Sequence, residues 1–192
     1  MQVSDLIAEK KALRARFSAL RASIPTAKKS AMDAALCRAL AAHTSFLECD
    51  VLLCFFPVRD EPDLTALYRL ARERGKKTAF PRCTGKQMTF HLVQSESELE
   101  TGRFGIPTPP ENAPLVACDT RTLCIVPALA AAKDGARLGY GGGFYDRFLE
   151  HFAGTAILPI YSALLCDALP REKTDLTIPY ILTEKGETEY DA

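Results

Sequence analysis

Two uninterrupted apolar runs, VLLCFFPV (51–58) and TLCIVPALA (122–130), constrain this chain more than any other feature. A strand wetted on one face alternates apolar and polar residues. A run without alternation suits a strand buried on both faces, as in a parallel sheet. Helical patterns separate such runs. Residues 4–24 carry Leu6, Leu13, Phe17, Leu20 and Ile24 on one stripe before Pro25 breaks the pattern. Residues 27–43 repeat it with Met32, Leu36, Leu40 and His43, and LTALYRLARERG (64–75) is a helix closed by Gly75. TAFPR (78–82), MTFHLV (88–93), the start of TAILPIYSALL (155–165) and YILTE (180–184) read as further strands, and FYDRFLEHF (144–152) as a short helix. Ser95 and Glu98 have the spacing of a capping box. Residues 102–114 and 170–175 read as loops. Strands alternating with helices predict an α/β fold with a parallel sheet.

Composition narrows the function classes. Lys plus Arg and Asp plus Glu stand at 24 each, which argues against a broad nucleic-acid or membrane footprint. No apolar run reaches the length of a membrane span, and no signal peptide is expected at the N-terminus. Seven cysteines, none in a Cys-x-x-Cys pair and several inside apolar runs, read as small buried thiols of a reducing compartment. The alternative is a catalytic thiol or a metal site, but His43, His91 and His151 lack ligand spacing to any cysteine.

The stretch RLGYGGGFYDRF (137–148) concentrates four of the chain's 11 glycines in five positions. Glycine takes positive φ freely, so successive amides can turn toward one point, and a following helix start adds free N–H groups. Strand, glycine loop and helix in that order predict a phosphate cradle. Arg137 and Arg147 could bring a cation to phosphate oxygens, and Tyr140 and Tyr145 could cover an aromatic ring or ribose. The competing reading is a turn that only permits tight packing. Neither the Walker A pattern nor G-x-G-x-x-G is spelled here.

The segment RLGYGGGFYDRFL resembles the signature of the 5-formyltetrahydrofolate cyclo-ligase family. KKALR (10–14), FFPVRDEPD (55–63), FPRC (80–83) with Met88, FGIPTPP (104–110) and LPREKTD (169–175) resemble other segments of that family in order and spacing, from about residue 10 to 184. The resemblance implies one domain over 1–192, with an open, mostly parallel sheet flanked by helices on both faces in a three-layer, Rossmann-like α/β fold. It implies ATP- and Mg²⁺-dependent closure of 5-formyltetrahydrofolate to 5,10-methenyltetrahydrofolate, with release of ADP and phosphate. A reduced folate is then the small-molecule substrate. The expected setting is cytoplasmic, as a monomer or weak dimer without nucleic-acid or membrane partners.

The same resemblance implies roles for particular residues. Lys10, Arg14, Arg82 and Arg137 would face ATP together with Gly139, Tyr140, Gly141, Gly142, Gly143, Phe144, Tyr145 and Asp146. Arg137, Tyr145 and Asp146 would be catalytic. Phe55, Glu61, Tyr140, Gly142 and Tyr145 would bind the folate, Glu61 matching adjacent pterin donors. Asp175 would be the metal-side acid. Read without the family, Lys10 and Arg14 are a solvated helix face, Arg82 a strand-end cap, Glu61 and Asp175 loop acids, and Phe55 and Phe56 core. The chain departs from the family at Ala131 and Ala132, where Phe-Asp with a metal-binding aspartate is usual, and at Thr108, Leu164 and Thr174. Asp134 is a candidate substitute. These departures keep two alternatives open: a different acceptor, or a diverged relative that binds nucleotide or folate without turnover.

Overall fold

The computed structural model describes residues 3–102, 105–172 and 174–188. Arg103, Phe104 and Lys173 of the expected loops lie outside the described residues. Five helices run Val3–Ala22 (α1), Thr26–Ala42 (α2), Thr44–Glu48 (α3), Thr65–Glu73 (α4) and Phe144–Leu149 (α5). The strands are Val51–Leu53 (β1), Lys77–Thr84 (β2), Gln87–Leu92 (β3), Glu100–Thr101 (β4), Pro107–Thr108 (β5), Thr122–Ile125 (β6), Ala130–Ala132 (β7), Arg137–Leu138 (β8), Thr155–Pro159 (β9), Leu165–Cys166 (β10), Tyr180–Thr183 (β11) and Gly186–Glu187 (β12).

The main sheet has seven strands in the order β12-β11-β9-β6-β1-β2-β3. The five central strands pair in parallel, and β3 and β12 close the edges antiparallel. Leu52, Leu53, Leu123, Cys124 and Ile125 have no exposed surface, as continuous apolar runs require when both faces are covered. Register shows what covers them. Phe80 of β2 faces His91 of β3 while Phe90 faces Pro81, so Phe80 and Phe90 lie on opposite faces. Tyr68 of α4 packs edge-on against Phe80 at 5.6 Å, and Phe148 of α5 against Phe90 at 4.8 Å. Helices therefore cover both faces, the three layers expected.

Several boundaries differ from the sequence expectation. Both apolar runs leave the sheet early, β1 after Leu53 and β6 after Ile125, ahead of Pro57 and Pro127. Proline has no N–H for the ladder, so the chain turns away there. The second run's tail becomes β7, which joins β8 and β10 in a separate three-stranded sheet. A hairpin therefore stands between the deep strand and the glycine loop. Within the loop expected at 102–114, Pro107–Thr108 forms β5 and pairs antiparallel with β4, and α5 ends at Leu149 rather than 152. On α1, Leu20 is 39% exposed and Arg21 is buried in its place. The box at Ser95 and Glu98 forms as expected, capping a single 3-10 turn.

Candidate active site

Strand order reverses between β1 and β6: β2 lies beyond β1 on one side, β9 beyond β6 on the other. The loops leaving the carboxyl ends of two such strands diverge and open a crevice between them, the usual ligand site of open α/β sheets. Glu61 lies in the loop after β1. Ala128 and the β7–β8 hairpin with its glycine loop follow β6. Helix α1 runs along this crevice.

Lys10, Arg14, Phe17 and Arg21 fall at steps of four, three and four, on one face of α1. From Lys10 to Arg21 that face rises about 16 Å. Lys10, 7% exposed, donates to Glu172 Oε1 at 2.8 Å and Asp175 Oδ2 at 2.5 Å. Burial alone would lower its pKa, but the bonds to Asp175 and Glu172 outweigh that and raise it. Arg14 Nε donates to the Gly139 carbonyl at 2.9 Å. Arg21 Nη2 donates to the Tyr140 hydroxyl at 2.7 Å, and that hydroxyl donates to Glu61 Oε1 at 2.5 Å. Three turns of one helix thus clasp Glu172 and Asp175, the glycine loop and the β1 loop together.

Glu61 is 3% exposed, and its second oxygen accepts from the Val58 amide at 2.9 Å. Burial raises its pKa, opposed by the Tyr140 hydroxyl, the Val58 amide and the charges of Arg21 and Arg59. Tyr140 is itself shifted upward, by burial first and then by the charge of Glu61. Tyr140 as a residue remains 44% exposed while its hydroxyl is pinned between Arg21 and Glu61.

The glycine loop is open to solvent. Gly141 has φ 95° and Gly143 φ 62°, where a side chain is strained. A Cβ on Gly141 would also lie 3.3 Å from Arg14 Cζ. Among the described residues, no protein acceptor is bonded to the amides of Gly139, Tyr140, Gly141 or Gly142. Free amides next to Arg14 form an electropositive edge. The Gly142 carbonyl is held from behind by Arg147 at 2.8 Å. Arg137 donates to Asp146 Oδ1 and the Leu176 carbonyl, both at 2.7 Å, and its side chain is 5% exposed. Its contribution to the crevice runs through Asp146, whose Oδ1 also accepts from the Leu176 amide.

The remaining expected residues are placed unevenly. Phe55 is buried in the core, its backbone bonded to the Tyr68 hydroxyl, while Phe56 is half-buried. The Tyr145 hydroxyl is sealed from solvent and has no hydrogen-bond partner among the described residues. Arg82 donates to the Pro109 carbonyl at 2.6 Å, tying β2 to the β5 loop. Ala131 and Ala132 are buried on β7, paired with β10. Asp134 bonds the Ala136 amide of its own hairpin turn and pairs with Arg171 at 3.0 Å. Burial raises the thiol pKa of Cys37, Cys49, Cys54, Cys83, Cys118, Cys124 and Cys166, the opposite of an activated thiolate. Sequence reasoning missed Arg21 and Glu172. Arg21 lies two turns beyond Arg14 on the same helix face, but Leu20 beside it fits the apolar stripe and hid it.

A second open cleft of about 430 Å³ lies between β3 and α5, lined by Met88, Arg147, Phe148 and His151 among others. Of the residues singled out from sequence, Arg147 and Met88 line it, so Arg147 faces this cleft as well as the Gly142 carbonyl.

Fold and crevice define an α/β protein with a polar site at the switch point of its sheet, where a cationic helix face meets a glycine loop. The chain belongs to the 5-formyltetrahydrofolate cyclo-ligase family, whose model it matches over residues 6–184. It is 33% identical over 139 residues to the 5-formyltetrahydrofolate cyclo-ligase of Mycolicibacterium smegmatis, covering 68% of this chain and 72% of that one. The Haemophilus influenzae enzyme of the same name is 30% identical over 103 residues, covering 52% and 55%. The solved 5,10-methenyltetrahydrofolate synthetase of Aquifex aeolicus superposes with a TM-score of 0.83 at 26% identity, over 95% of this chain and 93% of that one.

Proposed function

We propose that this protein cyclises 5-formyltetrahydrofolate to 5,10-methenyltetrahydrofolate with ATP, releasing ADP and phosphate. One observation carries the reading. Lys10, Arg14, the unbonded amides of the glycine loop and the carboxylate of Glu61 line one crevice at the sheet's switch point. The formyl oxygen is a poor leaving group. Transfer of the γ-phosphoryl group to it, followed by attack of folate N10 on the formyl carbon, lets it depart as phosphate. Phosphoryl transfer needs positioning and charge neutralisation above all. Arg14 and the loop amides would bind the phosphates. Lys10 would exchange its carboxylate partners for phosphate oxygens. Glu61 would accept hydrogen bonds from the pterin, and the ring of Tyr140 would cover it. Asp146, held by Arg137, would fix the far end of the loop.

Mg²⁺ would sit at the Lys10 end. Glu172 and Asp175 place two carboxylates around one ammonium, and Mg²⁺ takes one or two carboxylates plus phosphate oxygens and water, so the donor set fits. Bound there, the ion would neutralise phosphate charge. The seven unpaired cysteines support a reducing, cytoplasmic setting.

A second reading, binding without turnover, is favoured by one observation. The family's metal-binding aspartate is replaced by Ala132, and Asp134 is engaged with its own turn and with Arg171. Incubation with Mg-ATP and 5-formyltetrahydrofolate, followed by methenyl absorbance, separates the two. ATP-dependent product supports cyclisation. Thermal stabilisation by ATP without product supports binding alone, and neither signal rejects both.

A further inference from the structure

We propose that Arg21 is a positioning residue, which fixes the Tyr140 hydroxyl and through it the Glu61 carboxylate at the folate end of the crevice. The inference rests on the folate role given to Glu61 above.

Arg21 is 2% exposed, unusual for the residue type most resistant to losing its charge. Among the described residues it forms no ion pair. Its Nη1 reaches the Ala128 carbonyl only at 3.4 Å, and its Nε is buried without a partner. The one short bond is to Tyr140, whose ring centroid lies 5.8 Å from Arg21 Cζ. A guanidinium only donates. The Tyr140 oxygen therefore accepts from Arg21, and its own hydrogen is directed to Glu61. Arg21 sets the direction of the whole chain of bonds. It also places a positive charge one hydroxyl away from a buried carboxylate.

A purely structural residue would not look like this. A methionine of similar length would fill the space and remove both a buried charge and the orphaned Nε, and such replacements are often neutral or stabilising. What methionine could not supply is direction and charge. Burial raises the pKa of Glu61, and the groups that oppose it are Tyr140 from the glycine loop, the Val58 amide and Arg59 of its own loop, and Arg21 from α1. Arg21 and Arg59 favour the ionised form, the one that accepts from a pterin.

The test uses Arg21→Met, Arg21→Lys, Tyr140→Phe and the Arg21→Met/Tyr140→Phe double variant. Three quantities are read: melting temperature, both KM values, and the ¹³C carboxyl titration of Glu61, assigned with Glu61→Gln. Arg21→Met is expected to raise KM for 5-formyltetrahydrofolate about tenfold or more while KM for ATP stays within about twofold. The Glu61 midpoint should rise by about one unit, with the melting temperature little changed. Arg21→Lys, which keeps the charge, should restore the midpoint. The double variant should be no worse than Tyr140→Phe alone, because the effect passes through that hydroxyl. An unmoved Glu61 midpoint in Arg21→Met overturns the proposal. So do additive effects in the double variant, or equal rises in both KM values with a falling melting temperature. If the native protein forms no methenyl product, the functional reading fails, and the carboxyl titration still decides what Arg21 does.

Discussion

Burial and hydrogen-bond partners compete to set the charge of single residues in this crevice, and the winner differs from site to site. Desolvation raises the pKa of Glu61 above the ordinary glutamate value of 4.5. Between that value and the raised one, the folded protein holds a proton that the unfolded chain has released. Stability therefore falls as pH rises through this window. Glu61→Gln removes the titration. Its melting temperature relative to the native protein should be more favourable at pH 8 than at pH 5, and parallel melting curves would refute the assignment. Burial would lower the pKa of Lys10, but its bonds to Asp175 and Glu172 raise it, so its contribution to stability also falls as pH rises. Its pKa is raised from 10.5, so its stabilising pairing with Asp175 and Glu172 is complete below that value and lost at higher pH. Folate binding should weaken on the acid side at a pH above the ordinary carboxylate range, because protonated Glu61 loses acceptor capacity. Spacing put Lys10 and Arg14 on one helix face, but only the family resemblance gave them a site role; read alone they were a solvated face. Arg21 was not legible. A rule that assigns apolar residues to the buried stripe chooses Leu20, and only the partner loops show that Arg21 is the residue turned inward.

At the scale of elements, α1 and the glycine loop form one unit. The loop needs positive φ at Gly141, and Arg14 lies where a side chain on that residue would go. Gly141→Ala should cost about 1–2 kcal/mol of stability from backbone strain alone and weaken ATP binding further by displacing Arg14. Gly139→Ala is the internal comparison. Its Cβ would meet nothing within 4 Å, and its φ lies outside the strained region. It should change stability by less than about 1 kcal/mol in urea melts. Equal losses in the two variants would show that the loop does not need its left-handed geometry. The strand pattern was readable because continuous apolar runs have few other uses. Their ends were not. Pro57 and Pro127 stop pairing a few residues earlier than hydrophobicity does, and the β7–β8 hairpin is too short to show a period of its own. Arg137 sits on that hairpin. With Asp146 and Leu176 as its partners, Arg137→Ala should lower the melting temperature by several degrees, since it leaves a partly buried carboxylate unpaired.

Across the whole molecule, the seven-stranded sheet fixes where chemistry can occur. Its strand order opens the crevice, and the two loops at that point carry Glu61 and the glycines. The alternation of strands and helices implied a parallel sheet with a site at a strand's carboxyl end, but not the strand order that opens the crevice. The convergence of α1 on it did not follow from any local pattern, because the contacts between residues 10–21 and residues 139–175 are distant in sequence. Ligands that bind only the folded crevice must stabilise the protein, by about 2.7 kcal/mol at a hundred times their dissociation constant. Titration calorimetry of Mg-ATP into the native protein and Arg14→Gln tests the arrangement most directly. The account predicts that the native protein binds ATP, that the variant binds it about tenfold more weakly or worse, and that 5-formyltetrahydrofolate affinity stays within about twofold. Unchanged ATP affinity in Arg14→Gln, or no ATP binding by the native protein, would contradict it.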